Sequence, residues 1–272
     1  MKIEQGKILE TPFIIVEPAG SPAKRGVTIR NQLSKAPEFG SIHASLVLLH
    51  GRKGRKDDLL PVAERFCAVG FRCILIDLPG HGESSLEESH FGTTVSESTL
   101  SSRVFAVLKE DYQWRDQPTH LLGISMGGAF ANASLYASPE VWDSAIIINS
   151  FDRLSSVIDR KLERVSFFQS VLEPLTYKFC SFPIDKCEPA TWAKNIQTSV
   201  LVIHGDSDAL ITHAQGKTLY ESYQSEDKQF VSVPGGTHTN VLVTAYPLYK
   251  TMVEWLMAHS SQSPPSLPAV SR

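Results

Sequence analysis

The chain has 272 residues, of which 42% are hydrophobic and 20% charged, a composition typical of a folded globular protein. Its 26 Lys and Arg residues against 29 Asp and Glu residues give a formal net charge of -3 at pH 7, with no long basic block, which argues against a nucleic-acid partner. A chain of this length can bury one large core, so we expect a single domain over residues 1–258.

The N-terminus and the hydropathy of the chain bear on its location. The first ten residues intersperse charged with apolar side chains and so lack the continuous apolar stretch of a signal peptide. No apolar run approaches the length that spans a bilayer. We therefore expect a cytoplasmic protein with no stable membrane insertion.

The four cysteines are expected to be structural thiols. They lack the paired spacing and nearby histidines of zinc ligands. Two of them could bridge a loop, but a cytosolic chain would keep them reduced. The residues are Cys67, Cys73, Cys180 and Cys187, and the last two are the possible bridging pair.

Along the chain, two β-branched patches at residues 13–16 and 26–29 flank a turn rich in Gly, Pro and Ser, which predicts an antiparallel hairpin at a sheet edge. From Ser45 onward, short apolar runs alternate with segments of helical length. Such strands, apolar almost throughout, predict an α/β protein with a mostly parallel sheet covered by helices on both faces. The predicted strands are residues 45–50, 72–77, 120–124, 145–149, 200–204 and 229–233, and the predicted helices are 57–69, 95–109, 126–137 and 241–258.

About fifty residues separate the strands that end at Asn149 and begin at Val200, more than a usual crossover contains. Residues 154–182 are rich in aromatic and aliphatic side chains at a spacing that suggests one or two amphipathic helices. We expect residues 151–192, called the insertion below, to form a small helical cap over an active site, with extra core as the alternative. Residues 259–272, rich in Pro and Ser, predict a flexible tail.

The strongest chemical signal is Gly123-Ile124-Ser125-Met126-Gly127, which lies between a predicted strand and a predicted helix. A nucleophile exposed on a sharp strand-to-helix turn needs strained backbone angles, and glycines on both sides avoid clashes there. The N-terminus of the helix also directs free N–H groups toward developing negative charge. Ser125 is therefore the candidate nucleophile.

With this motif in place, the chain resembles the α/β-hydrolase family, in particular its serine esterase and lysophospholipase-like members, over roughly residues 45–258. Leu49-His50-Gly51 is similar to the family's His-Gly element, which opens the oxyanion-hole loop. Residues 77–84 (DLPGHGES) are similar to its Asp-x-x-Gly-His-Gly-x-Ser stretch, and residues 204–208 (HGDSD) to the strand end that bears the acid. The resemblance implies a doubly wound α/β-hydrolase fold.

The resemblance also implies that nucleophile, acid and base follow one another in that order along the chain. It assigns the acid to Asp208, whereas the alternative, Asp206, would form a turn or support the acid. His238 follows the last predicted strand in a glycine-containing loop, which can return an imidazole to the carboxyl edge of the sheet, and is the candidate base. Asp208 would orient this imidazole and stabilise its protonated form.

The family's oxyanion hole uses two backbone N–H groups, which the resemblance places at Arg52 and Met126. The loop containing the first donor is unusually basic, with Arg52, Lys53, Arg55 and Lys56. We interpret this basic run as a solvated loop edge. The alternative is that it attracts a substrate bearing a carboxylate or a phosphate.

These residues imply a two-step acyl transfer through an acyl-enzyme, acting on a small-molecule ester or thioester with a hydrophobic acyl group. No cofactor and no metal are expected, since no dinucleotide or zinc-ligand motif is present. The alternatives are a peptidase or amidase and a carbon–carbon bond hydrolase, each using the same triad, and a ligand receptor with residual hydrolase activity.

Overall fold

The computed structural model describes residues 1–86, 89–163, 184–244 and 247–260. The described residues form one eight-stranded sheet with the strand order β1-β2-β4-β3-β5-β6-β7-β8. All neighbours from β4 to β8 are parallel, while β1 and β2 form antiparallel pairs at one edge. The mostly parallel sheet is therefore confirmed. The strands are β1 (Lys2–Ile8), β2 (Thr11–Glu17), β3 (Ala44–Leu49), β4 (Phe71–Ile76), β5 (Thr119–Ile124), β6 (Ser144–Ile148), β7 (Ser199–Gly205) and β8 (Lys228–Val233).

An antiparallel hairpin lies at the N-terminal sheet edge, but the predicted pairing of residues 13–16 with residues 26–29 is wrong. Residues 13–16 lie in β2, whose hairpin partner is β1, with Lys2 opposite Glu17. Residues 26–29 instead lie in helix α1 (Lys24–Gln32). Gly26 and Ile29 are buried while the two residues between them are exposed, which is the spacing of a helical face rather than the alternation of a strand.

Helices cover both faces of the sheet, as predicted. Side chains of β3 alternate between the faces: Leu46 and Leu48 pack with α1, α2 and α9, whereas Val47 and Leu49 pack with α4, α5 and α8. No helix of the described ranges is long and apolar enough to cross a membrane. Besides α1, the helices are α2 (Leu60–Cys67), α3 (Val95–Ser98), α4 (Leu100–Asp111), α5 (Met126–Ala137), α6 (Leu154–Glu163), α7 (Pro189–Ala193), α8 (His213–Ser222) and α9 (Leu248–His259).

Three predicted helices differ in detail from the observed ones. The helix predicted at 57–69 begins as a 3-10 turn, Lys56–Leu59, and Asp58 accepts the backbone N–H of Arg55 rather than capping α2. The helix predicted at 95–109 is divided at Thr99 into α3 and α4. The helix predicted at 241–258 is described as a 3-10 turn, Val241–Val243, and as α9, which begins directly after Pro247.

The insertion is closed at its base by two backbone hydrogen bonds. The N–H of Leu154 donates to the carbonyl of Cys187, and the N–H of Ala190 donates to the carbonyl of Asp152, both at 2.9 Å. Helix α6 is one of the helices predicted here. Residues 164–183, about half of the predicted cap, and residues 261–272 of the predicted tail lie outside the described residues, so both remain predictions.

Three of the four cysteines are buried free thiols, namely Cys67, Cys73 and Cys187. Burial raises the pKa of the Cys67 thiol to about 12, so this group is not reactive as a thiolate at neutral pH. These three cysteines are structural, as predicted, while Cys180 lies outside the described residues.

Buried neutral histidines give the fold a dependence on pH, most clearly at His120 in β5. Its two ring nitrogens lie 3.0 Å and 2.9 Å from the hydroxyls of Ser144 and Ser260. Burial, with a smaller contribution from His259, lowers the pKa of His120 to about 3 from its ordinary value of 6.5. Below pH 6.5 the unfolded chain therefore binds a proton at this residue that the folded chain does not bind until near pH 3.

The free energy of unfolding is therefore expected to fall as the pH drops below 6.5, by up to about 1.4 kcal/mol per pH unit from His120 alone. The measurement is urea unfolding between pH 5 and pH 7 of the wild type, of His120→Gln, and of His43→Gln as a variant of an exposed histidine. His120→Gln should reduce this slope by about 1 kcal/mol per pH unit, and His43→Gln should retain it. Equal slopes in all three proteins would refute the prediction.

Candidate active site

Ser125 lies at the turn between β5 and α5 in a strained backbone conformation. Its φ of 55° and ψ of -116° fall in a region that non-glycine residues rarely adopt. Two hydrogen bonds hold the turn: the N–H of Ser125 donates to the carbonyl of Ile148 at 2.8 Å, and the Ser150 hydroxyl donates to the carbonyl of Ser125 at 3.0 Å. The surrounding structure thus maintains a sharp strand-to-helix turn.

The two glycines of the motif lie at close backbone contacts. A Cβ atom on Gly123 would lie 2.3 Å from the carbonyl oxygen of Gly127. A Cβ atom on Gly127 would lie 2.3 Å from the carbonyl oxygen of Leu49, in the neighbouring strand. Neither position can hold a larger residue without backbone movement, in agreement with the role that the sequence suggests for these glycines.

The structure brings the three candidate triad residues together. The Nε2 atom of His238 lies 3.0 Å from the Ser125 Oγ atom, and its Nδ1 atom lies 2.7 Å from the Asp208 Oδ2 atom. A carboxylate accepts only, so Nδ1 carries the proton and Nε2 accepts from the serine hydroxyl. The residues lie after the carboxyl ends of β5, β7 and β8, where the loops of a parallel sheet meet. The arrangement can withdraw a proton from Ser125.

Asp208 is buried, and its second oxygen is also occupied. Its Oδ1 atom accepts the backbone N–H groups of Leu210 at 2.8 Å and Ile211 at 3.0 Å. Burial alone would raise the pKa of Asp208, but the hydrogen bond and charge of His238 and these N–H groups outweigh it and hold the pKa below its ordinary value. Asp208 therefore remains ionised beside the imidazole at neutral pH.

The alternative acid, Asp206, has a different environment. Its Oδ1 atom accepts the backbone N–H of Gly235 at 2.9 Å and the hydroxyl of Ser207 at 2.9 Å. These contacts connect the loop after β7 to the turn after β8. Asp206 thus supports the turn after β8. This is one of the two roles that the sequence analysis offered for Asp206.

Asn149, which the sequence analysis treated only as the end of a strand, connects both loops of the site. It adopts a φ of 46°, is fully buried, and accepts the backbone N–H of Gly205 at 2.9 Å. Its amide nitrogen donates to the carbonyl of Thr237, next to His238, at 3.1 Å. A polar residue directly after an apolar strand is the signal that could have indicated this role.

His204, at the end of the strand that bears the acid, supports the acid loop. Its Nε2 atom lies 2.9 Å from the carbonyl oxygen of Ile211, to which it donates, and 3.8 Å from the Asp208 Oδ2 atom. Burial lowers the pKa of His204, so the ring is neutral at pH 7. His204 thus stabilises the loop that presents Asp208.

The loop after β3 is connected to the loop after β4 by two buried side chains. His50 accepts the N–H of Leu78 through Nε2 at 3.1 Å, and its Nδ1 atom donates to the carbonyl of Gly51 at 2.8 Å. Asp77, fully buried, accepts the backbone N–H of Lys56 at 2.7 Å and the Nζ of Lys56 at 3.0 Å. These contacts determine the position of the predicted oxyanion loop.

Lys56 does not fit the interpretation of the basic run as a solvated loop edge. Its side chain is 4% exposed and forms ion pairs with Asp77 and, at 2.7 Å, with Glu83. A cation this close to two carboxylates can be buried because its charge is balanced. Arg52, Lys53 and Arg55 are exposed, as that interpretation requires.

A cavity of about 630 Å³ opens over Ser125 and His238, within the usual range for small-molecule sites. Gly51, Arg52 and Met126 also line this cavity, so the loop and helix that would supply the oxyanion donors border the nucleophile; the use of their N–H groups remains a prediction. Most of the other lining side chains are apolar, and several come from α6. The apolar lining residues include Phe91 and Phe151, and from α6 they include Leu154, Val157, Ile158 and Leu162.

The fold and the comparisons define a hydrolase of the α/β-hydrolase fold. The family model described as "Serine aminopeptidase, S33" matches residues 40–180 and 188–242, which is most of the chain. The chain belongs to this family, and its resemblance to α/β-hydrolases is confirmed.

Individual relatives are distant. An uncharacterised 31.7 kDa protein of the traX–finO intergenic region of Escherichia coli is 22% identical over 280 residues, covering 83% of this chain and 94% of the relative. The lysophosphatidylserine lipase ABHD12 of Gallus gallus is 25% identical over 221 residues, covering 74% of this chain and 55% of the lipase. The esterase Pf2001 of Pyrococcus furiosus superposes with a TM-score of 0.68 at 14% identity, covering 94% of this chain and 92% of the esterase, which shows the shared fold.

Proposed function

We propose that this chain is a serine esterase that cleaves carboxylic esters or thioesters of small molecules through an acyl-enzyme on Ser125. The observation that carries the proposal is the continuous chain of hydrogen bonds from the Ser125 hydroxyl through His238 to the buried Asp208, at 3.0 Å and 2.7 Å. A serine hydroxyl activated in this way beside a cavity is the arrangement of a nucleophile with its base and orienting acid.

In the proposed reaction, the Ser125 Oγ atom attacks the ester carbonyl while its proton passes to Nε2 of His238. The backbone N–H groups of Arg52 and Met126 would stabilise the tetrahedral oxyanion. His238 then gives the proton to the departing alcohol or thiol, which leaves the acyl group on Ser125. A water molecule, deprotonated by His238, attacks this acyl-enzyme, and the acid product leaves with Ser125 restored. The ionised Asp208 stabilises the imidazolium in both steps.

The cavity favours an ester with a hydrophobic acyl group over a peptide with a free amino terminus. An aminopeptidase must bind a protonated amine, and carboxylates usually supply that contact. No Asp or Glu is found among the described residues that line the cavity, which instead carry three cations. The names of the esterase and the lipase among the similar proteins agree with an ester substrate.

The test is hydrolysis of p-nitrophenyl esters from acetate to palmitate by the wild type, by Ser125→Ala and by Ser222→Ala, a serine variant on α8 outside the cavity. Ser125→Ala should lower kcat by about five orders of magnitude, whereas Ser222→Ala should behave as the wild type. Labelling with a fluorophosphonate, in which the Ser125 oxygen displaces fluoride from phosphorus, should modify this one serine. Wild-type turnover by Ser125→Ala would refute the proposal. Labelling without ester turnover would favour the peptidase, carbon–carbon hydrolase or receptor alternatives.

A further inference from the structure

Among the residues that the structure describes, three cationic side chains line the otherwise mainly apolar cavity over Ser125. Arg52 and Lys53 come from the loop after β3, and Lys161 comes from the last turn of α6, more than a hundred residues later in the chain. All three residues are exposed. Two separate segments of the chain therefore place positive charge beside the same apolar surface.

The basic loop after β3 divides into two parts with different contacts. Lys56 is directed to the buried Asp77, and the Nε of Arg55 lies 4.0 Å from Asp57. In the described ranges, no ion pair is found for Arg52 or Lys53. Lys53 also adopts a φ of 65°, a conformation that is costly for a residue other than glycine. Within this loop, Arg52 and Lys53, which line the cavity, are thus the cations whose charge no carboxylate in the described ranges balances.

We infer that these cations select esters that carry a carboxylate or phosphate in addition to a hydrophobic chain. This inference rests on the proposed esterase function and specifies its substrate class. The apolar wall from α6 binds the hydrocarbon part, while Arg52, Lys53 and Lys161 bind the anionic group. A cavity of about 630 Å³ can hold both parts. One exposed charge pair of this kind changes binding by about fivefold. Together the three cations should therefore favour an anionic substrate over a neutral one by about tenfold or more.

The experiment compares kcat/KM for two pairs of octanoyl substrates. In the first pair, monooctanoylglycerol and its phosphate monoester, the charge lies on the alcohol side of the ester. In the second pair, p-nitrophenyl octanoate and the p-nitrophenyl half-ester of octanedioic acid, it lies on the acyl side. The enzymes are the wild type, Lys53→Glu, Lys161→Glu and the double variant. Lys24→Glu, an exposed position on α1 outside the cavity, makes the same change in net charge and is the control.

In at least one pair, the wild type should prefer the anionic substrate, and each single variant should lower this preference by about fivefold. The double variant should lower it by more than tenfold, and Lys24→Glu should leave it as in the wild type. Raising the ionic strength from about 0.02 M to about 0.5 M should also weaken the wild-type preference, since salt screens exposed charges.

The inference and the proposed function fail in different ways. Ser125-dependent turnover of the neutral esters, with an anionic preference that neither the lysine variants nor salt changes in either pair, would overturn the inference alone. An equal loss of preference in Lys24→Glu would also overturn it, because the effect would then come from net charge. Turnover that persists in Ser125→Ala would overturn the proposed function itself.

Discussion

Asp208→Asn is expected to lower kcat for ester hydrolysis by about four orders of magnitude while the protein remains folded. An asparagine amide can donate a hydrogen bond to Nδ1 of His238, which favours the tautomer with the proton on Nε2. That proton would face the Ser125 oxygen, where an acceptor is needed. The measurement is kcat and KM for a p-nitrophenyl ester, together with circular dichroism of the variant.

Asp206→Asn provides a matched control, because it makes the same chemical change two residues away. Its carboxylate accepts the N–H of Gly235, a contact that an asparagine oxygen can also form. We expect kcat within about threefold of the wild type, since no group that touches the substrate changes. If the two variants lost equal activity, or if Asp206→Asn lost more, the assignment of the acid to Asp208 would be wrong.

Gly127→Ala is expected to lower the free energy of unfolding by at least about 3 kcal/mol. The new Cβ atom would lie 2.3 Å from the carbonyl oxygen of Leu49 and 2.6 Å from that of His50, so helix α5 would have to move away from β3. Both neighbours are backbone atoms, which cannot relax by a change of rotamer. Urea unfolding followed by circular dichroism measures this loss.

Gly51→Ala is the comparison for that measurement. A Cβ atom there would lie 3.5 Å from its nearest neighbours, an ordinary van der Waals contact. Its cost in unfolding free energy should stay below about 1 kcal/mol. A similar stability for both alanine variants would mean that the close approach of α5 and β3 is not required for folding.

The central sheet and the strand-to-helix turn at Ser125 could be predicted from the sequence because their signals are local. The apolar runs of β3 to β8 lie within a few residues of their predicted bounds, and α5 begins and ends as predicted. The hairpin failed at residues 26–29, where β-branched Val27 and Thr28 favour a strand locally. Gly26 is buried beside Ala68, at the end of α2, and Ile29 is buried in the core between the sheet and α2, and this spacing of buried residues favours a helix instead.

The supports of the site could not be predicted, since they depend on contacts between distant residues. Nothing local distinguishes Lys56 from the three exposed cations beside it; its burial follows from Asp77, which lies in the next loop. The role of Asn149 depends on Gly205 and Thr237, which approach it only when β6, β7 and β8 are adjacent. A pattern within one segment contains no information about such partners.

The closure of the insertion at its base bears on how such enzymes diverge. The hydrogen bonds that join Asp152 to Ala190 and Leu154 to Cys187 bring the two ends of this segment together, so its length can change at little entropic cost to the rest of the fold. Asn149 connects the loops that bear Asp208 and His238 just before the segment begins. Recombination between homologous genes at these two points would therefore exchange the segment that carries α6 and its part of the cavity wall, and leave the serine, histidine and aspartate in place. A lineage with this architecture can acquire new substrates by replacing one continuous stretch of sequence.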